Sequence, residues 1–201
     1  MRSLVESVFP DHLAARLPEV RARHATLGLT DEESWATLRD VFRAHEVRGE
    51  EPFADVEWIE VVWSGRLAEL GRLQFESRPD ARLAVHIPET GPLAPAACDG
   101  SFARAREVFP HYDVASCHSW VLDPALADVL SPGSNIVRFQ RRFTLTDEGE
   151  DGNADVLRFV FHTLDPDLDK LEPTTTLERA LLQRMHEGAQ WRVPTGVTSL
   201  R

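Results

Sequence analysis

Leu83-Ala84-Val85-His86-Ile87-Pro88-Glu89-Thr90-Gly91 and Ser116-Cys117-His118-Ser119-Trp120 are the two stretches on which the reading of this chain turns. In the first, Leu83, Val85 and Ile87 alternate with Ala84 and His86, the period of a strand with one apolar face. The second lies in a strand predicted over Val114 to Leu122. Each ends by presenting polar, titratable groups. Two adjacent strand ends carrying His86, Glu89, Cys117 and His118 make a candidate reaction site. Between them Asp99-Gly100-Ser101 precedes an amphipathic helix from Phe102 to about Phe109. That strand-helix-strand order predicts a parallel pair joined by a right-handed crossover.

Upstream of this unit the period is 3.6. Leu13, Leu17 and Val20 mark the apolar side of a helix over Asp11 to about Ala25, with Pro18 in its middle. Thr30 followed by Glu33 is a capping box. The helix it opens places Trp35, Leu38, Val41 and Phe42 on one stripe and stops at Gly49. A third helix is predicted from Pro52 to Leu70, with Val56, Ile59, Val62, Trp63, Leu67 and Leu70 facing inward. Trp35, Trp58 and Trp63 read as core. The period then changes to 2. Leu73 and Phe75 alternate with Arg72, Gln74 and Glu76, and the turn Ser77-Arg78-Pro79-Asp80 leads back into Leu83, which predicts a hairpin.

Downstream, a short helix is expected around Ala125 to Leu130. Ser131-Pro132-Gly133-Ser134 is a breaker, after which Ile136 to Thr146 and Val156 to Thr163 read as a second hairpin around the polar loop 147–153. Thr175 with Glu178 opens a last helix through about His186, stopped by Gly188. Trp191 to Leu200 reads as an edge strand, where Pro194 is tolerated. The order gives an α/β (α+β) architecture: one domain over residues 1–201, mainly helical over 1–70, with a mixed sheet over 71–201 and helices on both faces.

The chain has 201 residues, a 42% hydrophobic and 27% charged composition and a net charge of −11. That size buries a core without disulfides or metals. The acidic balance argues against nucleic acid and against attraction to anionic membranes. Arg138, Arg141 and Arg142 form a local basic patch that could meet a phosphorylated ligand. Two cysteines, Cys98 and Cys117, do not make a secreted disulfide framework. With no signal-peptide pattern and no apolar run of about 20 residues, the expected location is the cytoplasm.

Leu73-Gln74-Phe75-Glu76, His86-Ile87-Pro88-Glu89-Thr90-Gly91-Pro92-Leu93, Cys117-His118-Ser119-Trp120, Ser134-Asn135-Ile136-Val137-Arg138-Phe139 and Thr176-Leu177-Glu178-Arg179 carry a resemblance. From about Pro18 to the C-terminus the chain resembles the GNAT-like acyltransferases. More narrowly, it resembles the bacterial acyltransferase domain-containing proteins with a GNAT-like C-terminal domain. The resemblance implies acyl-CoA as co-substrate and transfer of its acyl group to a small-molecule amine by direct attack in a ternary complex. It also implies an anion site for the pyrophosphate at a helix N-terminus, where unpaired N–H groups favour phosphate. That position falls on Thr90 through Ser101, so Thr90, Gly91, Gly100 and Ser101 are expected cofactor-binding residues; Asn135, after the breaker, is added as a hydrogen-bond partner for a ligand amide, the plain alternative being turn chemistry. The fold's usual Arg/Gln-x-x-Gly-x-Gly/Ala pattern is replaced by Pro92-Leu93-Ala94-Pro95-Ala96-Ala97, and Asp99 adds a negative charge. The only tyrosine, Tyr112, does not match the fold's late-helix tyrosine acid. A homodimer is left open.

For catalysis the candidates are His86, Glu89 and His118. A histidine titrates near neutrality and suits a base that takes a proton from an attacking amine. Glu89 could be that base, or could orient an acceptor ammonium. The plain alternatives are a hydrogen-bonded structural histidine and a solvated carboxylate. Cys117 and His118 point to opposite faces and do not make a nucleophile-base couple, so Cys117 reads as core. A zinc site on His86, Glu89 and His118 has suitable ligand types but no supporting spacing, and no metal is expected. Two other classes remain: a non-catalytic ligand-binding or interaction module, which the missing glycine pattern favours, and a metal-assisted hydrolase.

Overall fold

Ala15 and Arg16 divide the first predicted helix in two. The computed structural model describes residues 9–51, 53–78, 82–165 and 167–201. In it α1 (Asp11–Ala14) and α2 (Leu17–Thr26) are separate, with Pro18 in the first turn of α2. Proline is tolerated there because that N–H has no helical partner. α3 (Asp31–Arg39) carries the expected capping box: Thr30 Oγ1 accepts from Glu33 N–H, and the Glu33 carboxylate accepts from Thr30 N–H. A 3₁₀ turn over Asp40–Phe42 leads to α4 (Arg43–Arg48), which ends at Gly49 in the left-handed conformation (φ 69°).

The third helix is shorter than its pattern. α5 spans Val56–Trp63, capped by the Asp55 carboxylate. Pro52, expected in its first turn, lies outside the described residues. Val56, expected inward, is exposed. Leu67–Leu70 is not helical but is strand β1, paired with β2 (Leu73–Ser77) in register Leu70↔Leu73. Gly71 at the turn takes φ 73°, which a glycine adopts without steric cost. The sheet therefore begins four residues earlier than the predicted 70/71 boundary. The expected hairpin follows, β2 against β3 (Leu83–His86), with Phe75↔Val85. Pro79 and Asp80 of its turn lie outside the described residues.

α6 runs from Pro95 to Val108, so Asp99, Gly100 and Ser101 lie inside this helix rather than before it. β4 (Val114–His118) pairs parallel to β3, as the strand-helix-strand order predicted. It ends at His118, and a 3₁₀ turn Trp120–Leu122 replaces the rest of the predicted strand. α7 (Leu126–Val129) follows.

The second hairpin is absent. Ile136 onward forms α8 (Asn135–Gln140), because Ser134 Oγ accepts from Val137 N–H and caps a helix against the β-branched bias of Ile136 and Val137. Only Thr144–Leu145 is strand, β5. β6 (Glu150–Asp151) is followed by α9 (Asn153–Val160), which replaces the strand predicted from Val156. Asp151 accepts from Asn153 N–H and turns the chain into the helix. α10 (Thr176–His186) has its predicted capping box. β7 (Arg192–Val193) pairs with β6, and β8 (Thr195–Ser199) joins the main sheet. Pro194 sits between the two strands.

The main sheet has the order β1-β2-β3-β4-β8-β5. β8 lies between β4 and β5, so it is interior, not an edge. α6 covers one face through Phe102, Ala105 and Val108, packed with Leu73, Phe75 and Val85. Helices α1, α2, α3 and α5 build a second core around Leu38, Val62 and Trp63, which takes in Leu67 of β1. Both faces of β2 are consequently covered: Gln74 and Glu76, on the polar side of the alternation, are 1% and 5% exposed.

Candidate active site

The parallel pairing of β3 and β4 stops at Val85↔Cys117, one residue before His86 and His118. Beyond that point a cleft of about 1070 Å³ opens, lined by Val85 to Glu89 on one strand end and Cys117 to Val121 on the other. This slightly exceeds the ~300–1,000 Å³ usual for small-molecule pockets.

His86 points away from the Leu83/Val85 face, toward α5. Its Nε2 lies 3.1 Å from Glu76 Oε2, and the Trp58 ring meets its imidazole edge-on at 5.1 Å. The Trp58 indole N–H donates to Asp40 Oδ2 at 2.6 Å. Trp58 is therefore a wall of the cleft rather than core; Trp63 is core, and Trp35 is half-buried under the Arg21 guanidinium. The hydrogen bond from His86, then Arg78, hold the Glu76 carboxyl below its usual range. An ionised carboxylate only accepts, so Nε2 carries the proton shared with Glu76, and in the neutral imidazole Nδ1 is then the lone-pair acceptor.

Glu89 faces the same cleft. One carboxylate oxygen, Oε2, is paired with Arg48, while Oε1 is buried without a hydrogen-bond partner among the described residues. The His162 Nε2 lies 3.9 Å from that oxygen. Arg48 also donates to Glu50, which receives Arg158 through both oxygens. These two guanidiniums, Arg158 first, hold the Glu50 carboxyl down at about 2. Both stack on the Phe159 ring. The network joins α4, α9 and the loop after β3 across one wall of the cleft. His162 and Phe53 are the non-glycine residues with positive φ among those described (53° and 64°), and both line this cleft.

On the opposite strand end, His118 Nδ1 is 3.1 Å from Thr195 Oγ1 and Nε2 is 3.6 Å from Glu150. Cys117 is fully buried, and burial pushes its thiol up to about 12.

The cleft thus brings together His86, Glu89, Gly91, His118 and Asn135. Thr90 is exposed and hydrogen-bonded through its N–H to Pro88 O, outside the lining. Gly100 is exposed on α6. Ser101 is buried and structural: its Oγ accepts from the Arg72 and Leu73 N–H groups and donates to Ala97 O. The helix N-terminus expected at Ser101 is instead at Pro95, with no side-chain cap and no acid in its first turn. Asp99 is bridged at 2.6 Å by Arg142, whose guanidinium also reaches Pro95 O at 3.3 Å. Arg138 and Arg141 are exposed on α8 and its end. Among the described residues no three His, Cys, Asp or Glu side chains are grouped to hold a metal ion, and no helix is long and apolar enough to cross a membrane.

Sequence reasoning missed Arg48, Glu50, Arg158 and His162. Arg158 and His162 stood in a segment read as a strand, and nothing in the spacing of Arg48 and Glu50 marks them as partners.

A mixed sheet whose parallel strand ends open onto one large cleft is the framework of the GNAT-like proteins. The chain belongs to that family: the family described as GNAT-like C-terminal domain matches residues 67–198, from the first residue of β1 into β8. Among solved structures, it is similar to an acyltransferase in complex with decanoyl-CoA and teicoplanin (36% identity, TM-score 0.79). It is also similar to an acyltransferase in complex with CoA and 10C-Teicoplanin (35%, 0.80) and to an acyltransferase in complex with decanoyl-CoA (32%, 0.83). Each match covers 94% of this chain, but 65%, 65% and 64% of the other chain. The chain thus spans less than two thirds of the length of these neighbours. No curated protein matches it.

Proposed function

We propose that this chain is an acyl-CoA-dependent acyltransferase domain that transfers an acyl group to the amine of a small-molecule acceptor. The observation that carries this reading is the His86–Glu76 pair, whose imidazole lines the cleft, in a fold shared with neighbours that hold acyl-CoA. Glu76 fixes the imidazole so that Nδ1 accepts a proton from the acceptor amine. The amine nitrogen bonds to the thioester carbonyl carbon, the C–S bond then breaks, and the thiolate of coenzyme A leaves and takes up a proton. Most of the rate comes from holding both reactants in one cleft and from deprotonating the amine.

Glu89 is assigned to the acceptor. Arg48 occupies one oxygen, and the buried, unpaired Oε1 is free to receive an N–H from the incoming amine. His118 forms the second wall. The pyrophosphate is assigned to the start of α6. The N–H groups of Ala96 and Ala97 have no partner within the helix there, and Arg142 offsets Asp99. The neighbour that holds teicoplanin supports a small-molecule acceptor. Calorimetry with acetyl-CoA and longer acyl-CoAs tests the reading: saturable binding is expected, and no binding at millimolar concentration overturns it.

The alternative is a binding module without turnover, favoured by the replacement of the glycine pattern with 92–97. His86→Ala and Glu89→Ala discriminate: unchanged ligand affinity with no turnover to lose supports binding alone.

A further inference from the structure

Arg72 donates to three backbone carbonyls of one loop. Its Nη1 reaches Pro88 O at 2.8 Å, Nη2 reaches Gly91 O at 2.6 Å, and Nε reaches Pro92 O at 3.1 Å. That loop joins His86, at the end of β3, to Pro95, at the start of α6, and Pro88, Glu89, Gly91, Pro92 and Leu93 of it line the cleft. Arg72 makes no ion pair with any described carboxylate, and burial lowers its proton affinity. A guanidinium bonded to three neutral acceptors, with no carboxylate in contact, keeps its positive charge beside the loop.

The same residue is anchored to the helix the loop enters. Its backbone N–H donates to Ser101 Oγ at 2.9 Å, and the next N–H, of Leu73, donates to the same oxygen at 3.2 Å. Residue 72 therefore holds the loop by its side chain and α6 by its main chain. Without it, the segment 87–94 keeps the Arg48–Glu89 pair and the buried Leu93 but loses every side-chain hydrogen bond to the Pro88, Gly91 and Pro92 carbonyls, with Gly91 at φ 111° between the first and the last.

We propose that Arg72 is a positioning residue for the acyl donor. By clamping 88–92 against α6 it fixes the carrier of Glu89 and the approach to the Ala96–Ala97 anion site in one geometry. This rests on the acyl-CoA reading above. Lysine at this position keeps the charge but loses the planar fork that serves three acceptors, so it separates the clamp from simple attraction of an anion.

The test measures acyl-CoA affinity, KM and kcat for wild type, R72K and R72Q, with circular dichroism and thermal unfolding to confirm each fold. Hydrogen exchange at Gly91 and Leu93 reads the loop without ligand. The expectation is faster exchange in both variants and acyl-CoA affinity weakened roughly tenfold or more in R72K as well as R72Q, the scale of one or two lost hydrogen bonds. KM for acyl-CoA should rise more than kcat falls. Wild-type affinity in R72K, or equal exchange rates in all three proteins, overturns the proposal. Failure of wild type itself to bind acyl-CoA while exchange still differs overturns the underlying reading and, with it, the role assigned to the clamp.

Discussion

His86 and Glu76 meet diagonally across the β2–β3 hairpin, with Nε2 3.1 Å from Oε2. The register pairs Gln74 with His86 and Glu76 with Ala84. Both therefore point to the sheet face that carries the cleft, and the carboxylate is 5% exposed while the imidazole is open to the cleft. A buried acid behind an accessible histidine is an arrangement that fixes tautomer and ring orientation.

Removing that acid while keeping its shape should expose the effect. Glu76→Gln is expected to lower kcat roughly 10- to 100-fold, the scale of losing a partner that orients a histidine while the histidine itself remains, with little change in acyl-CoA affinity. Steady-state kinetics beside calorimetry checks it. An unchanged kcat would show that Glu76 only supports the sheet.

His24 predicts a pH dependence of stability remote from the cleft. Its side chain is fully buried, with Nδ1 2.9 Å from Ser34 Oγ, and burial, then Arg21, lower it to about 4. Unfolded histidine protonates near 6.5, so as pH falls below that value the unfolded state takes up a proton that the folded state refuses. Stability is complete above pH 6.5 and declines from there to about 4, by about 3 kcal/mol in all from this group. Urea unfolding from pH 7.5 to 4 should show this slope, and His24→Asn should flatten it.

Arg48 is nearly buried, with its guanidinium between Glu50 and Glu89. Arg48→Met leaves Glu89 without that partner and Glu50 with Arg158 alone. It should cost about 3 kcal/mol, the scale of breaking a buried pair from one side, read as a fall in the urea midpoint. A loss under 1 kcal/mol would mean that the pair is solvated.

The cysteines should be inert. Burial raises both thiols, Cys117 to about 12. A thiolate is the reactive form, so a disulfide reagent at pH 8 should label neither in the folded protein and both in denaturant.

Much of this architecture could be read from residues. Thr30–Glu33 and Thr175–Glu178 located two helix starts because a capping box is local chemistry. The alternations of 73–77 and 83–86 located the hairpin that carries His86. Where local and tertiary terms compete, the reading failed. Leu67 to Leu70 fits the tail of a helical stripe, yet Gly65 and Gly71, both at positive φ, bracket it as a strand. Ile136-Val137 and Val156 to Phe161 have β-branched and aromatic content, but the Ser134 cap and the Asp151 turn start helices there. Of the site, His86, Glu89 and His118 were visible as polar groups at strand ends. The anion turn was placed at Ser101 because Asp99-Gly100-Ser101 looks like a cap. Pro95, six residues earlier, is the first helical residue, a position that suits proline. Long-range partners such as Arg158 with Glu50, 108 residues apart, leave no mark on local pattern.

A crystal structure with bound acyl-CoA tests the central claim most directly. The prediction is a thioester carbonyl between the ends of β3 and β4, beside His86 and within the cleft, with the pyrophosphate on the Ala96 and Ala97 N–H groups. An acyl-CoA bound elsewhere on the chain, or an empty cleft at saturating millimolar ligand, would contradict it.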